Sequence, residues 1–225
     1  MNTKNIPLAR IKLERIVTKQ GATFGFEILT PNYKDLRLDF FSITPKSRTT
    51  INLLLRNQLK TLAKFQWENK STGFKPGQVL FINVEPWQLE DLDICKDIAL
   101  VHRYLNQSGI SICIELTERE FEDLRFHVIL KNLFYLKDKG LKIALDDYVF
   151  DEITWRTLLV KCINCVDFLK VDITSQVDKD LFVKFVSGLV SQPGMIFEQI
   201  ETKKEFQAML DFQVETPLLQ GFLFN

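Results

Sequence analysis

Short apolar runs alternate in this chain with stretches of helical periodicity, and seven of the runs end in a polar side chain. These end residues are Glu27, Asn83, Glu115, Asp146 with Asp147, Lys170, Glu198 and Gln220. Alternating strand and helix patterns are typical of βα units. In a β/α barrel the carboxyl ends of all strands converge on one face, where the chemistry lies. We therefore expect an α/β fold, a TIM-like β/α barrel in a single domain over residues 1–225, with these side chains on one rim.

The spacing of the run ends supports this architecture. Most are separated by about 30 residues, the length of one βα unit. The segment between Glu27 and Asn83 is longer, and we expect residues 31–50 to form an irregular insert there. Apolar residues at helical spacing predict helices at 51–62, 128–136, 181–189 and 206–210. No linker rich in proline, glycine or serine divides the chain, which favours one domain.

The composition excludes several functional classes. The 225 residues are 46% hydrophobic and 12% aromatic, as in a globular protein, and their number is close to the roughly 250 of a typical barrel. Lysine and arginine together number 29, as do aspartate and glutamate, so no general basic excess indicates a nucleic-acid polymer as partner. No apolar run approaches the roughly 18 residues of a membrane span, and the N-terminus lacks a signal-peptide core. We expect a cytoplasmic protein.

The four cysteines indicate structural thiols. Cys162 and Cys165 form a lone C-x-x-C pair, whereas a zinc site needs a second pair or histidines at ligand spacing. The two histidines, His102 and His127, do not have that spacing. We expect the thiols to be free and buried, without a metal or redox role.

The Asp146-Asp147 pair is the sharpest local feature. Burying two adjacent carboxylates without a cation is costly, and a two-metal site removes that cost while activating a water and clamping a phosphoryl group. Oxygen ligands without histidine or cysteine suit Mg²⁺ or Mn²⁺. Lys170 could orient the water or balance phosphate charge. Taken alone, the pair also fits a turn or helix cap, but the other strand-end groups favour the metal site.

These residues occur, in this order, in segments that resemble the EAL domain family of cyclic di-GMP phosphodiesterases over about residues 8–225. Gly25-Phe26-Glu27-Ile28-Leu29 lies where the family has G-x-E-A-L. The other matching segments are Ile82-Asn83-Val84, Glu115-Leu116-Thr117-Glu118, Gly140 to Tyr148, Leu169-Lys170-Val171-Asp172, Phe197-Glu198-Gln199-Ile200-Glu201-Thr202 and Gln220-Gly221-Phe222-Leu223-Phe224. We expect a stand-alone domain without an attached sensory domain.

The resemblance implies roles for the strand-end residues. Two Mg²⁺ or Mn²⁺ ions would be held by Glu27, Asn83, Glu115, Asp146, Asp147 and Glu198. Lys170 and Gln220 would support the hydrolytic water and the ligand shell, and Glu118 would anchor the loop after the aspartate pair. The implied reaction is hydrolysis of one phosphodiester bond of cyclic di-GMP, which yields the linear dinucleotide pGpG.

The sequence also departs from the family pattern around the expected substrate. Thr30 stands where an arginine usually contacts a phosphate, and the loop at 149–152 has no glycine. Phe197 and Gln199 replace small residues beside Glu198 and would crowd the pocket. We expect these changes to weaken substrate binding more than metal binding. Two alternatives stay open: an inactive member that senses cyclic di-GMP or docks a protein partner such as a transcription factor, and a barrel that acts on another phosphoester. A homodimer is also open.

Overall fold

Eight strands close into a single barrel in the order of the chain. The computed structural model describes residues 11–29, 45–68, 74–117, 125–146, 165–173, 182, 192–210, 212 and 214–224. The strands are β1 (Lys12–Thr18), β2 (Thr23–Leu29), β3 (Val79–Val84), β4 (Ser111–Leu116), β5 (Lys142–Leu145), β6 (Phe168–Asp172), β7 (Gly194–Glu198) and β8 (Leu218–Gln220). The predicted single-domain β/α barrel is confirmed.

The first strand runs against the other seven. β1 pairs antiparallel with both β2 and β8, whereas every pair from β2 to β8 is parallel. A tight turn causes the reversal, because the Thr18 amide donates to the Ala22 carbonyl at 2.8 Å and Gly21 adopts φ +82°. So short a connection can join only antiparallel strands, since a parallel pair needs a long crossover. The beginning of β1 therefore lies at the barrel end where the other strands finish.

Four α-helices lie among the described residues, and three of them match the sequence expectations. They are α1 (Pro45–Glu68), α2 (Leu92–Asn106), α3 (Phe126–Asp138) and α4 (Lys203–Leu210), with 3₁₀ helices at Pro86–Glu90 and Phe222–Phe224. The periodicity did not single out α2. Residues 45–50 belong to α1 and not to the irregular insert, whose remainder lies outside the described residues, as does the helix expected at 181–189 apart from Phe182. None of the described helices is long and apolar enough to cross a membrane.

The barrel interior is filled by side chains and is not a pore. One buried cluster consists of Ile16, Val79, Phe81, Cys113, Ala144, Phe168, Ile196 and Leu218. Alternate residues of the same strands belong to a second cluster, which includes the buried faces of α1, α2 and α3. Since side chains alternate across a strand, residues two positions after the interior set also point inward, one layer closer to the carboxyl ends.

Two glycines are required by close approach of the backbone. A Cβ atom on Gly25 would lie 2.1 Å from the Val79 carbonyl oxygen of the neighbouring strand. At the end of β8, Gly221 adopts φ +147°, and a Cβ there would lie 2.3 Å from the Ile200 carbonyl oxygen. Each glycine flanks a strand-end polar residue, Glu27 or Gln220, so close packing holds the backbone beside both.

Candidate active site at the carboxyl ends of the strands

Six of the polar strand-end residues lie one layer above the packed interior. Each follows an interior apolar residue by two positions on its own strand or just beyond it. The pairs are Phe81 and Asn83, Cys113 and Glu115, Ala144 and Asp146, Phe168 and Lys170, Ile196 and Glu198, and Leu218 and Gln220. Glu27 joins this layer from β2. The structure therefore places these seven residues together on one rim.

Lys170 is the centre of this layer. Its Nζ atom lies 2.8 Å from Glu115 Oε1, 2.8 Å from Glu198 Oε1, 3.0 Å from Asp146 Oδ1 and 3.2 Å from Glu27 Oε2. The lysine is 1% exposed and Glu115 is fully buried. Four carboxylates thus share one ammonium group in a region from which water is largely excluded, so negative charge is in excess.

Amide side chains hold one of these carboxylates in place. Asn83 Nδ2 donates to Glu27 Oε1 at 3.0 Å, and Gln220 Nε2 donates to Glu27 Oε2 at 2.6 Å. Burial alone would raise the pKa of Glu27, but the Lys170 charge and the hydrogen bonds from Gln220 and Asn83 outweigh it and lower that pKa. Glu27 is therefore ionised and rigidly oriented.

The pKa values of three other buried groups are raised. Burial and the nearby Glu27 charge raise the pKa of Glu115 well above its ordinary value, although Lys170 opposes them. Burial, together with Asp146, raises the pKa of Glu198 to about 8. Burial would lower the pKa of Lys170, but the surrounding carboxylates raise it well above 10.5, so the lysine stays protonated.

The donor chemistry of this layer fits divalent cations. Glu115 Oε2 has no hydrogen-bond donor among the described residues, and the contact given for Oε1 is the Lys170 ammonium at 2.8 Å. Orphaned carboxylate oxygens beside other carboxylates are the ligands that Mg²⁺ or Mn²⁺ takes. Nevertheless, no three aspartate, glutamate, histidine or cysteine side chains in the described part of the chain are arranged to hold a metal ion. The carboxylates converge on the Lys170 ammonium group instead.

Several predicted site features lie outside the described residues. These are Asp147, Glu118, Thr30 and the loop at 149–152. Of the C-x-x-C pair, Cys162 also lies outside, whereas Cys165 is a buried free thiol whose pKa is raised by burial. Its expected structural role stays a prediction.

A cavity of about 240 Å³ opens onto this layer. Two of its lining residues were not among those predicted from the strand-end pattern. Its lining contains Glu14 from β1 and Gln199 from the end of β7, together with Glu27, Leu29, Asp146, Lys170, Glu198 and Gln220. Glu14 pairs directly with Glu27 across the antiparallel strands. Like charges directly opposite each other are destabilising, so a cation bound nearby would stabilise this pair. The sequence signal that could have predicted this position of Glu14 is Gly21, because a tight turn there makes β1 antiparallel to β2.

Comparison with a known family covers nearly the whole chain. The family model for the EAL domain matches residues 16–225. The probable cyclic di-GMP phosphodiesterase PdeI of Escherichia coli (strain K12) is 29% identical over 99 residues. Those residues are 44% of this chain but 12% of PdeI, so the chain spans a small part of that relative.

Solved EAL structures share the fold at low sequence identity. The Bacillus subtilis YkuI protein, with an EAL domain and in complex with substrate c-di-GMP and calcium, superposes with a TM-score of 0.69 at 18% identity, covering 97% of this chain and 54% of YkuI. The PaMucR phosphodiesterase in its c-di-GMP complex gives 0.67 at 17%, with 97% and 96% covered. The EAL domain of Mycobacterium smegmatis DcpA gives 0.66 at 19%, with 99% and 92% covered. On the match over residues 16–225, the chain belongs to the EAL domain family.

Proposed function

We propose that this protein is a cyclic di-GMP phosphodiesterase that hydrolyses one of the two phosphodiester bonds and releases pGpG. The observation that carries the proposal is the convergence of four carboxylates on Lys170 at the carboxyl rim of an EAL barrel. A relative named as a probable cyclic di-GMP phosphodiesterase and EAL-containing structures with c-di-GMP bound support the choice of substrate.

The proposed cofactor is a pair of Mg²⁺ or Mn²⁺ ions. Their ligands would be Glu27, Asn83, Glu115, Asp146 and Glu198, with Asp147 from outside the described residues. Bound there, such ions supply positive charge for the phosphate and lower the pKa of a water molecule.

Lys170 acts in this proposal as a hydrogen-bond donor. Without bound cations the surrounding carboxylates raise its pKa, so it carries an ammonium group that can stabilise negative charge on an oxygen. Gln220 holds Glu27 through Nε2, and its buried Oε1 has no hydrogen-bond partner among the described residues, which leaves it available to a water or ligand. Glu118 would position the loop after the aspartate pair.

The experiment combines turnover with metal binding. Purified protein is incubated with cyclic di-GMP and Mn²⁺ or Mg²⁺, and pGpG is quantified by chromatography. Mn²⁺ should raise the melting temperature by mass action on the native state. Asp146→Asn should lose both pGpG formation and the Mn²⁺ shift, whereas the matched variant Asp138→Asn, at the exposed end of α3, should keep both. An equal Mn²⁺ shift in the two variants would place metal binding elsewhere.

A second candidate function is binding of cyclic di-GMP without hydrolysis. It is favoured by Thr30, which stands where the family usually has a phosphate-contacting arginine, and by the absence of glycine at 149–152. Calorimetry distinguishes the two proposals. If the protein binds cyclic di-GMP and Mn²⁺ but forms no pGpG, it is a sensor, and a protein partner should then be sought.

A further inference from the structure

Gln199 has a backbone conformation that is unusual for its residue type. It follows Glu198 at the end of β7 and adopts φ +58°, and it is the single non-glycine residue with positive φ in the described part of the chain. Glycine occupies this left-handed region freely, whereas a Cβ atom makes it unfavourable. A side chain at this position therefore carries a steric cost.

Hydrogen bonds on both sides prevent the backbone from relaxing. The Glu198 carbonyl accepts from the Ile173 amide at 3.3 Å, which continues the pairing of β6 with β7. The Ile200 amide donates to the Gln220 carbonyl at 3.1 Å, and the Ile200 carbonyl accepts from the Leu223 amide at 3.1 Å. The residue between these anchors must turn in the left-handed sense, whatever its side chain.

The side chain that bears this cost lies at the mouth of the active-site cavity. Gln199 is exposed and lines the cavity. The inner lining is mostly charged, and the Gln220 amide nitrogen is already engaged by Glu27. Gln199 thus offers a neutral amide, with donors and an acceptor, at the entrance. Charged groups and cations suit a phosphate, whereas a neutral amide suits the edge of a nucleobase, and guanine presents both acceptors and donors.

We propose that Gln199 is a specificity-determining residue, whose amide hydrogen-bonds a guanine base of the substrate at the cavity mouth. The inference rests on the proposed function, since it assigns one residue of that site to one part of cyclic di-GMP. It also reverses the expectation that this side chain only crowds the pocket.

The test is Gln199→Gly, which removes the amide and suits the backbone conformation, so the variant should fold. Calorimetry with Ca²⁺ should give a dissociation constant for cyclic di-GMP about 3- to 10-fold higher than wild type, the value of one hydrogen bond. KM with Mn²⁺ should rise by a similar factor, and kcat should change by less than about 2-fold, because binding is lost equally from ground and transition states. The preference for cyclic di-GMP over cyclic di-AMP should shrink. Gln199→Asn, which retains a shorter amide, should recover part of this preference.

The control variant is Gln107→Gly, at an exposed position after α2. It should leave the dissociation constants for cyclic di-GMP and cyclic di-AMP unchanged. Unchanged or tighter binding in Gln199→Gly, with an unchanged nucleotide preference, would overturn the inference while the proposed function stands. A fall in kcat at constant KM would also overturn it. If the wild-type protein binds no cyclic di-GMP, the inference and the proposed function fail together.

Discussion

Replacement of Lys170 by methionine should be the most destabilising single change at the rim. At about 3 Å and an effective dielectric constant of about 20, each ion pair is worth roughly 5 kcal/mol, or about 20 kcal/mol for all four. Most of this gross attraction offsets the desolvation of the ions and the repulsion among the carboxylates. Removing Lys170 alone leaves carboxylates buried without their counter-ion, which should lower the free energy of unfolding by about 3–5 kcal/mol. Glu27, whose pKa is lowered, should contribute most, whereas the raised pKa of Glu115 allows it to become neutral.

The measurement is thermal and urea unfolding in the presence of a chelator. For a chain of this size, a loss of 3–5 kcal/mol lowers the melting temperature by about 6–20 °C. The loss should be smaller at pH 6 than at pH 8, because protonation of Glu198, whose pKa is raised by burial to about 8, removes one uncompensated charge. The double variant Lys170→Met/Glu198→Gln should regain part of the stability for the same reason, and added Mn²⁺ should also restore part of it.

The matched control is Lys96→Met, which removes an exposed lysine 2.9 Å from Asp93. Exposed pairs contribute little, so its melting temperature should stay at the wild-type value. The reasoning is refuted if Lys170→Met in chelator melts within about 2 °C of wild type, or if it unfolds equally easily at pH 6 and pH 8.

Three further changes test other parts of the structure. Gly25→Ala should destabilise by about 1–3 kcal/mol or more in urea unfolding, because the new Cβ would overlap a carbonyl oxygen of β3; wild-type stability would contradict the close approach. His102 is buried, accepts from the Ile112 amide at 3.2 Å and has a pKa lowered by burial. Below about pH 6.5 the unfolded state therefore binds more protons than the folded state, so stability decreases as the pH is lowered. His102→Gln should flatten that slope between pH 7.5 and 5.5, and an unchanged slope would assign it to other groups. Asp167→Asn should cost about 1–3 kcal/mol, since it removes the charge that lies 2.7 Å from Lys137; a melting temperature equal to wild type would show that the pair contributes nothing.

The rim could be predicted because its pattern is local. On the strands β3 to β8 an interior apolar residue is followed two positions later by the site residue, as Phe168 is by Lys170, and this period of two is readable without the fold. The central position of Lys170 could not be predicted in the same way. It depends on closure of the whole barrel, which brings Glu27 and Glu198 to the same ammonium group from opposite ends of the chain.

Two other features were misjudged for physical reasons. The irregular insert was expected to extend to residue 50, yet Pro45 begins α1, where the missing amide of proline costs nothing. Glu14 was overlooked because only strand ends were expected at the rim, and the reversed β1 brings a residue from near its start to that rim instead.

The reversed first strand also determines when the site can form during synthesis. β1 closes the barrel through only three pairs with β8, one of which joins Ile16 to Gln220. The hydrogen bond from Gln220 to Glu27 connects residues 193 positions apart. A nascent chain cannot make this bond until β8 has left the ribosome, and contacts between such distant residues are the slow ones in folding. A nascent chain that has not yet reached Gln220 therefore carries the Glu27 carboxylate without its amide donor, so the site cannot be complete before β8 has been synthesised.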